Sequence, residues 1–142
     1  MNRIAVLAAL GVFALGTEAF AARLLVKAEM KKVVEPASNT LFAIGGEVDP
    51  ANGPDAKATA ARWTEAATAA QKLSGVAAGL SQKGRTKPGA DWPVFVKQMA
   101  ELSAKAAKAA AAHDGAGLSQ AANDISDNCS ACHAKYKPQT GD

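Results

Sequence analysis

The chain has 142 residues, which suits a single domain, with a formal net charge of +3, 49% hydrophobic residues, 20% charged residues and only 5% aromatic residues. The charge is mild and contains no block of Lys or Arg, which excludes the electrostatic footprint of a nucleic-acid-binding protein. Alanine is abundant and β-branched runs are scarce, so the composition favours helices over strands.

The first 21 residues have the layout of a secretory signal peptide. A basic start at Arg3 is followed by an apolar run over residues 4–16 and by a small-x-small cleavage pattern at residues 19–21. The run is short for a bilayer-spanning helix, so an uncleaved membrane anchor is the weaker alternative. We therefore expect a mature domain over residues 22–142 that is exported to the periplasm, where thiols tend to oxidise.

The first predicted helix covers about residues 24–44 and ends at Gly45-Gly46. Its apolar residues recur at three- and four-residue steps and so share one helical face: Val26, Met30, Val33, Ala37, Leu41 and Ile44. Pro36 interrupts this pattern, because proline removes a backbone donor and crowds the preceding turn. We expect a kink at this proline, with a break into two helices as the alternative.

A second and a third helix are predicted over about residues 56–81 and 91–113, each with its own apolar stripe. Asp91 is expected to be the N-cap of the third helix. Pro93 then lies in the first helical turn, where proline is tolerated.

The fourth predicted helix covers about residues 118–136, and its apolar stripe continues into both cysteines of the chain. A turn over residues 114–117 precedes it, so the last two helices are expected to be antiparallel neighbours. The fold class predicted is all-α, an up-down-up-down four-helix bundle. Because alanine-rich faces bury little surface, a large apolar group between the helices would complete an otherwise thin core.

The two cysteines stand in the sequence Cys129-Ser-Ala-Cys132-His133, late in the fourth predicted helix. C-x-x-C-H is the attachment signature of c-type haem. In this interpretation each thiol adds across one haem vinyl group to form a thioether, and the two-residue spacer lets both sulfurs reach their vinyl groups. His133 then supplies one axial nitrogen to the iron.

Three other uses of these residues stay open. A thioredoxin-like pair would stand at a helix start beside a βαβ pattern, whereas this motif lies late in a helix. A disulfide between the cysteines would close too short a loop to add much stability. A zinc site formed by Cys129, Cys132, His133 and His113 would have unusual spacing, because His133 directly follows Cys132.

A C-x-x-C-H motif on the last helix of an all-α chain resembles the class II cytochromes c, the cytochrome c′ family and its low-spin relatives. Residues 114–138 are similar to the last helix of that family: a turn, a leucine, alanines, the motif itself and an aromatic residue three positions later, here Tyr136. The resemblance implies one haem c, joined covalently to Cys129 and Cys132. It also implies His133 as the proximal iron ligand.

The resemblance places the distal side of the iron against the first helix. Low-spin members hold a methionine there, whereas high-spin members leave the iron five-coordinate behind an apolar side chain. Met30 matches the family's methionine in its distance from the cysteines and is the candidate second axial ligand. Its alternative role is core packing, which is also the role expected of Met99. His113 is accounted for by a favourable interaction with the dipole of the third helix.

Other residues are expected to have ordinary structural roles. Three aromatic residues are expected to line the core, with the haem edge as a neighbour: Trp63, Phe42 and Phe95. Four basic residues could surround an exposed haem edge, but ordinary solvated charge is the expectation for them: Arg85, Lys87, Lys135 and Lys137.

The resemblance implies a monohaem electron carrier outside the cytoplasm, with redox proteins as its partners and no role in binding nucleic acid. The alternative is a five-coordinate, cytochrome c′-like protein that binds nitric oxide or carbon monoxide. Enzymatic activity is not expected, because no carboxylate or histidine cluster accompanies the motif. Many family members dimerise through their first two helices, which makes a homodimer a candidate assembly.

Overall fold

The structure, a computed structural model, describes residues 25–53, 57–82 and 84–137. Over these ranges every regular element is helical. The predicted signal peptide, residues 1–21, lies outside the described residues. The elements are α1 (residues 25–47), a short 3-10 turn (Pro50–Asn52), α2 (Ala60–Leu80), α3 (Asp91–Ala111) and α4 (Gly115–Tyr136).

Helix α1 runs through Pro36 without a break. Its α-helical residues 25–29 lead into a π-helical turn, Met30–Val34, and then into the α-helical segment Glu35–Glu47. Pro36 is the second residue of that last segment, and it has no N–H group to donate to the helical turn before it. The expected disturbance therefore takes the form of a π turn just before the proline.

The π turn changes which side chains of α1 face the core. The Glu35 N–H group donates to the Met30 carbonyl, five residues earlier, and a single such turn inserts an extra residue into the helical register. Val34 is consequently buried, whereas Val33, which was expected on the apolar stripe, is half-buried. Met30, the first residue of the turn, is also half-buried.

Two glycines predicted to end α1 lie within it. The helix continues to Glu47 because Gly45 packs directly against α4, and tertiary packing overrides the weak helix propensity of glycine. The carbonyl of Gly46 accepts hydrogen bonds from Asn52 Nδ2 at 2.7 Å and from the Asp49 N–H group at 3.4 Å, which fixes the exit from the helix.

Helix α2 begins four residues later than expected, and its N-cap is Thr59, whose hydroxyl accepts from the Arg62 N–H group at 3.3 Å. Asp91, expected to cap α3, is instead its first residue, preceded by Ala90. The Asp91 carboxylate still lies at the positive end of the helix dipole, and it forms an ion pair with Lys135 of α4.

The connection between α3 and α4 is shorter than the sequence suggested. The backbone N–H groups of His113 and Asp114 return to the carbonyls of Ala110 and Ala109, and His113 adopts a positive φ of 53°. These are the bonds of a Schellman C-cap. The Asp114 side chain then accepts from the Gly117 N–H group at 2.9 Å, so α4 begins within the predicted turn.

The four helices pack in a closed ring of neighbours: α1 on α2, α2 on α3, α3 on α4 and α4 on α1. Ten of the 24 buried hydrophobic side chains among the described residues are alanines, so the core is alanine-rich, as the composition led us to expect. The larger buried side chains include Leu41, Ile44, Leu73, Leu118 and Ile125. The fold is therefore helical-bundle-like, with helices that approach one another closely.

Candidate haem site

The final two turns of α4 carry the C-x-x-C-H motif. Cys132 and His133 lie three and four residues after Cys129, so all three residues share one face of the helix. Both thiols are half-buried and unpaired. His133 is exposed on one side, and its other side lines the same cavity as the cysteines.

This cavity has a volume of about 50 Å³ and is walled by side chains from all four helices. Met30 lines it from α1, and the motif residues line it from α4. The structure thus brings together the four residues predicted from the sequence to hold haem. The remaining lining is mostly apolar and comes from Val34, Leu80, Trp92, Phe95, Val96 and Met99, with Asn128 as a further polar member.

The three aromatic residues that were expected to line the core lie in different regions. Phe95 lines the cavity. Trp63 is buried and stacks on the ring of His113, with 5.2 Å between ring centroids and 16° between planes. Phe42 is half-buried against the core. Of the three, only Phe95 is therefore placed to touch a group bound between Met30 and the motif.

Trp92 and Asn128 are among the cavity residues that the sequence reasoning missed. Trp92 is 3% exposed, donates through Nε1 to the Leu80 carbonyl at 3.2 Å and meets Tyr136 edge-on at 5.2 Å. Its position four residues before Val96 would have placed it on the apolar face of α3. Asn128 directly precedes the first cysteine, but nothing in its sequence position reveals its long-range contact with Phe95 of α3.

The cavity shifts the ionisation of all three motif residues toward their neutral forms. Burial raises the pKa of the Cys129 thiol, and burial together with the neighbouring Cys129 raises the pKa of the Cys132 thiol. Loss of water lowers the pKa of His133, and Lys137 lowers it further. At neutral pH the motif therefore presents protonated thiols and a neutral imidazole, the form in which histidine binds metal.

Asn128 connects the motif to α3 and leaves one atom without a partner. Its Nδ2 donates to the Phe95 carbonyl at 3.2 Å, while its buried Oδ1 has no hydrogen-bond partner. An unpartnered buried acceptor is costly, so a bound group with a hydrogen-bond donor, or a water molecule, would stabilise the site at this point.

The donor set fits a covalently attached haem, because two thiols, an imidazole and a thioether meet at one apolar cavity. The volume of about 50 Å³ is well below the roughly 300–1,000 Å³ of typical ligand pockets. A planar macrocycle requires the helices around the cavity to separate. The chain's residues therefore fit haem in their chemistry, and binding would widen the cavity.

The alternative zinc set is not assembled. His113 lies before the first turn of α4 and Cys129 near its end, a separation of about 20 Å along the helix. Within residues 25–53, 57–82 and 84–137, no three His, Cys, Asp or Glu side chains cluster as ligands of a metal ion.

The basic residues near the site are not all solvated charges. Arg85 forms an ion pair with Glu29, and Lys135 forms one with Asp91. Lys137 is exposed beside His133. The Arg85 side chain is only 22% exposed and thus differs from its expected role, whereas the Lys135 side chain is 52% exposed and stays solvated.

In the part of the chain that the structure describes, no helix has the length and hydropathy needed to cross a membrane. Comparisons with known protein families, with curated proteins and with solved structures find no match for this chain.

Proposed function

We propose that this chain is a class II-like monohaem c-type cytochrome that carries electrons in the periplasm. Haem c is attached through Cys129 and Cys132, and its iron is held by His133 and Met30. One observation carries the proposal: a single cavity collects these four side chains from the start and the end of the described chain.

The proposed architecture is an up-down-up-down bundle with haem on the last helix. Trp63 at the start of α2 stacks on His113 just after α3, and Trp92 at the start of α3 bonds to Leu80 at the end of α2. The connection between α3 and α4 comprises only residues 112–114. These contacts support antiparallel directions for α2, α3 and α4, as short connections generally do.

When bound, haem supplies a one-electron redox couple whose potential depends on its axial ligands. The chain's own residues have separate tasks. Cys129 and Cys132 fix the group to α4, and the neutral imidazole of His133 offers a nitrogen lone pair. The Met30 thioether offers a soft ligand from α1, and a methionine ligand raises the potential. The apolar side chains around them exclude water.

A second candidate function follows from the lining of the cavity. Apart from the motif residues, Asn128 is its only polar side chain among those described, and Nδ2 of that residue is already bonded. An apolar pocket without a protein ligand on the distal side would suit a protein that binds nitric oxide or carbon monoxide. The position of Met30 favours the electron carrier, since its side chain already lies at the cavity.

The partners under this proposal are redox proteins, or small gases in the second candidate function, and a homodimer is a candidate assembly. Neither function requires catalysis by the chain.

The proposal is tested by expressing the chain with a cytochrome maturation system and extracting the denatured protein with acidified solvent. Colour that stays with the polypeptide supports covalent haem, and the matched Cys129→Ala/Cys132→Ala variant should yield a colourless chain. Colour that leaves the parent chain, or none after expression, would overturn the proposal. Spectra of both oxidation states, with and without carbon monoxide, then separate the two candidate functions.

A further inference from the structure

An ion pair joins the start of α1 to the loop that follows α2. Glu29 Oε2 and Arg85 Nη2 are 2.6 Å apart, and each of the two side chains is 22% exposed. The partners are 56 residues apart in the sequence. Because the pair is largely shielded from water, its interaction is screened less than that of an exposed pair.

The pair lies directly beside the residue proposed to face the iron. Glu29 immediately precedes Met30, which begins the π turn and lines the cavity. A π turn lacks the regular i to i−4 bonds of an α-helix and is a site where helices bend. A contact that fixes Glu29 therefore fixes the position from which the Met30 side chain extends.

A glycine of helix α2, Gly79, leaves space for this pair. A Cβ atom added at Gly79 would lie 2.8 Å from Arg85 Nη1 and 3.9 Å from Glu29 Oε1, so the glycine leaves the room in which the guanidinium lies. Gly84 has a φ of 86°, and the Arg85 N–H group donates to the Gln82 carbonyl at 3.0 Å.

We infer that Glu29 and Arg85 are positioning residues that hold the start of α1, and with it Met30, against the cavity, and that Gly79 provides the space for this contact. The consequence for iron rests on the proposed function. Release of the pair would withdraw Met30 and admit other molecules to the cavity. The widening that haem requires would then depend on the same segment, because the π turn is the irregular part of the cavity wall.

The variants that test this inference are Arg85→Gln and Gly79→Ala, compared with Gly75→Ala. Gly75 lies four residues earlier on α2, is exposed and has nothing within 4 Å of an added Cβ atom, so its replacement gives the same gain in helix propensity without touching the pair. A charge-reversed double variant, Glu29→Arg/Arg85→Glu, tests for rescue.

The first measurement uses the full chain without haem. We expect Arg85→Gln and Gly79→Ala to increase amide hydrogen exchange over residues 25–34 and alkylation of the two thiols. The expected increase is roughly 5- to 30-fold, the factor equivalent to about 1–2 kcal/mol. Gly75→Ala should increase neither rate, and the charge-reversed variant should restore the parent rates. Unchanged rates would overturn the inference, as would an equal increase over α2 and α3, which would show a general loss of stability.

The second measurement uses the haem-loaded chain. Release of Met30 should convert part of the oxidised protein to the high-spin form and speed the binding of carbon monoxide to the reduced form. If Met30→Leu has this effect and the pair variants do not, the inference fails while the proposed function stands. If no haem can be attached, the proposed function fails, and the exchange and alkylation rates decide the inference alone.

Discussion

Gly45 of α1 faces Ala122 of α4 so closely that a Cβ atom added to the glycine would lie 2.8 Å from the Cβ atom of the alanine. The same added atom would lie 3.6 Å from the Leu118 carbonyl oxygen. The first and last helices can therefore approach at this point only because residue 45 has no side chain.

Gly45→Ala is expected to lower the free energy of unfolding by about 1–3 kcal/mol, because overpacking forces the two helices apart. Gly46→Ala is the matched control: its added Cβ atom would meet nothing within 4 Å, and alanine favours the helix by about 0.5–1 kcal/mol. Urea unfolding of both variants measures the difference. Equal stabilities would contradict the close approach.

The helices themselves were largely predictable from the sequence. Apolar periodicity located four of them, and the caps at Thr59 and Asp114 use residue types that favour N-termini. Most of the errors lie at boundaries, apart from the exchange of Val33 for Val34 at the π turn. The continuation of α1 through Gly45 depends on contact with a helix more than 70 residues away in the sequence, which local propensity does not contain.

The candidate site residues could be predicted from the sequence, but the structure and contacts around them could not. The C-x-x-C-H motif identified Cys129, Cys132 and His133, and the apolar stripe of α1 included Met30. The sequence could not reveal the π turn that sets the direction of Met30, because proline is compatible with a kink, a break or a π turn. Nor could it pair Glu29 with Arg85, since that contact depends on the final packing of α1 beside the loop after α2.

The two thiols are expected to react slowly in the folded chain without haem. Burial raises the pKa of both, so the thiolate that attacks an alkylating reagent is scarcer than in an unfolded chain. Alkylation at pH 7.5 should therefore be slower in buffer than in concentrated urea, and it should accelerate as the pH rises above 9. Equal rates in the folded and unfolded chain would contradict the burial of the motif.

The raised thiol pKa values also predict the direction in which stability changes with pH. The folded chain holds these protons more tightly than the unfolded chain, so the stabilisation is fully present below the unfolded pKa and is lost as the pH rises through the folded pKa. The parent should lose more stability between pH 8 and pH 10, roughly the range around a free thiol's pKa, than a Cys129→Ser/Cys132→Ser variant. A parallel decline of the two proteins in urea unfolding would show that the thiols are not responsible.

His133 is expected to make the haem-free chain sensitive to acid. Its folded pKa is lowered by burial and by Lys137, so the unfolded state binds the extra proton more readily. The stabilisation is present above the unfolded pKa of about 6.5 and is lost as the pH falls toward the folded pKa. His133→Gln should flatten this decline, which urea unfolding at a series of pH values between about 5 and 7.5 would measure.

The stability of the bundle is expected to depend on haem. Ten of the 24 buried hydrophobic side chains among the described residues are alanines, each of which buries little area. A Cys129→Ala/Cys132→Ala variant without haem should unfold at lower denaturant with a smaller m-value, and it should keep helical signal after losing tertiary signal. Ser130→Ala, at the exposed position between the cysteines, should retain haem and unfold like the parent. Superimposable curves with and without haem would contradict this dependence.

The last prediction compares the two methionines of the cavity. Met30 and Met99 both line it, Met30 half-buried on α1 and Met99 only 7% exposed on α3. Met30→Ala should convert the haem-loaded protein from low-spin to high-spin, abolish the weak near-infrared band of sulfur-to-iron charge transfer and allow rapid binding of carbon monoxide. Met99→Ala should preserve that band.

The free energy of unfolding should also distinguish the same two variants, with the larger loss in Met99→Ala. Met99 is the more buried side chain, so its truncation should cost about 2–5 kcal/mol, whereas truncation of half-buried Met30 should cost less in the haem-free chain. Truncation of an iron ligand thus changes mainly the spectrum, whereas truncation of a packing residue changes mainly the free energy of unfolding. If the native protein is already high-spin and binds carbon monoxide at once, Met30 is a packing residue like Met99. The apolar cavity would then support the gas-binding function, with His133 still as the proximal ligand.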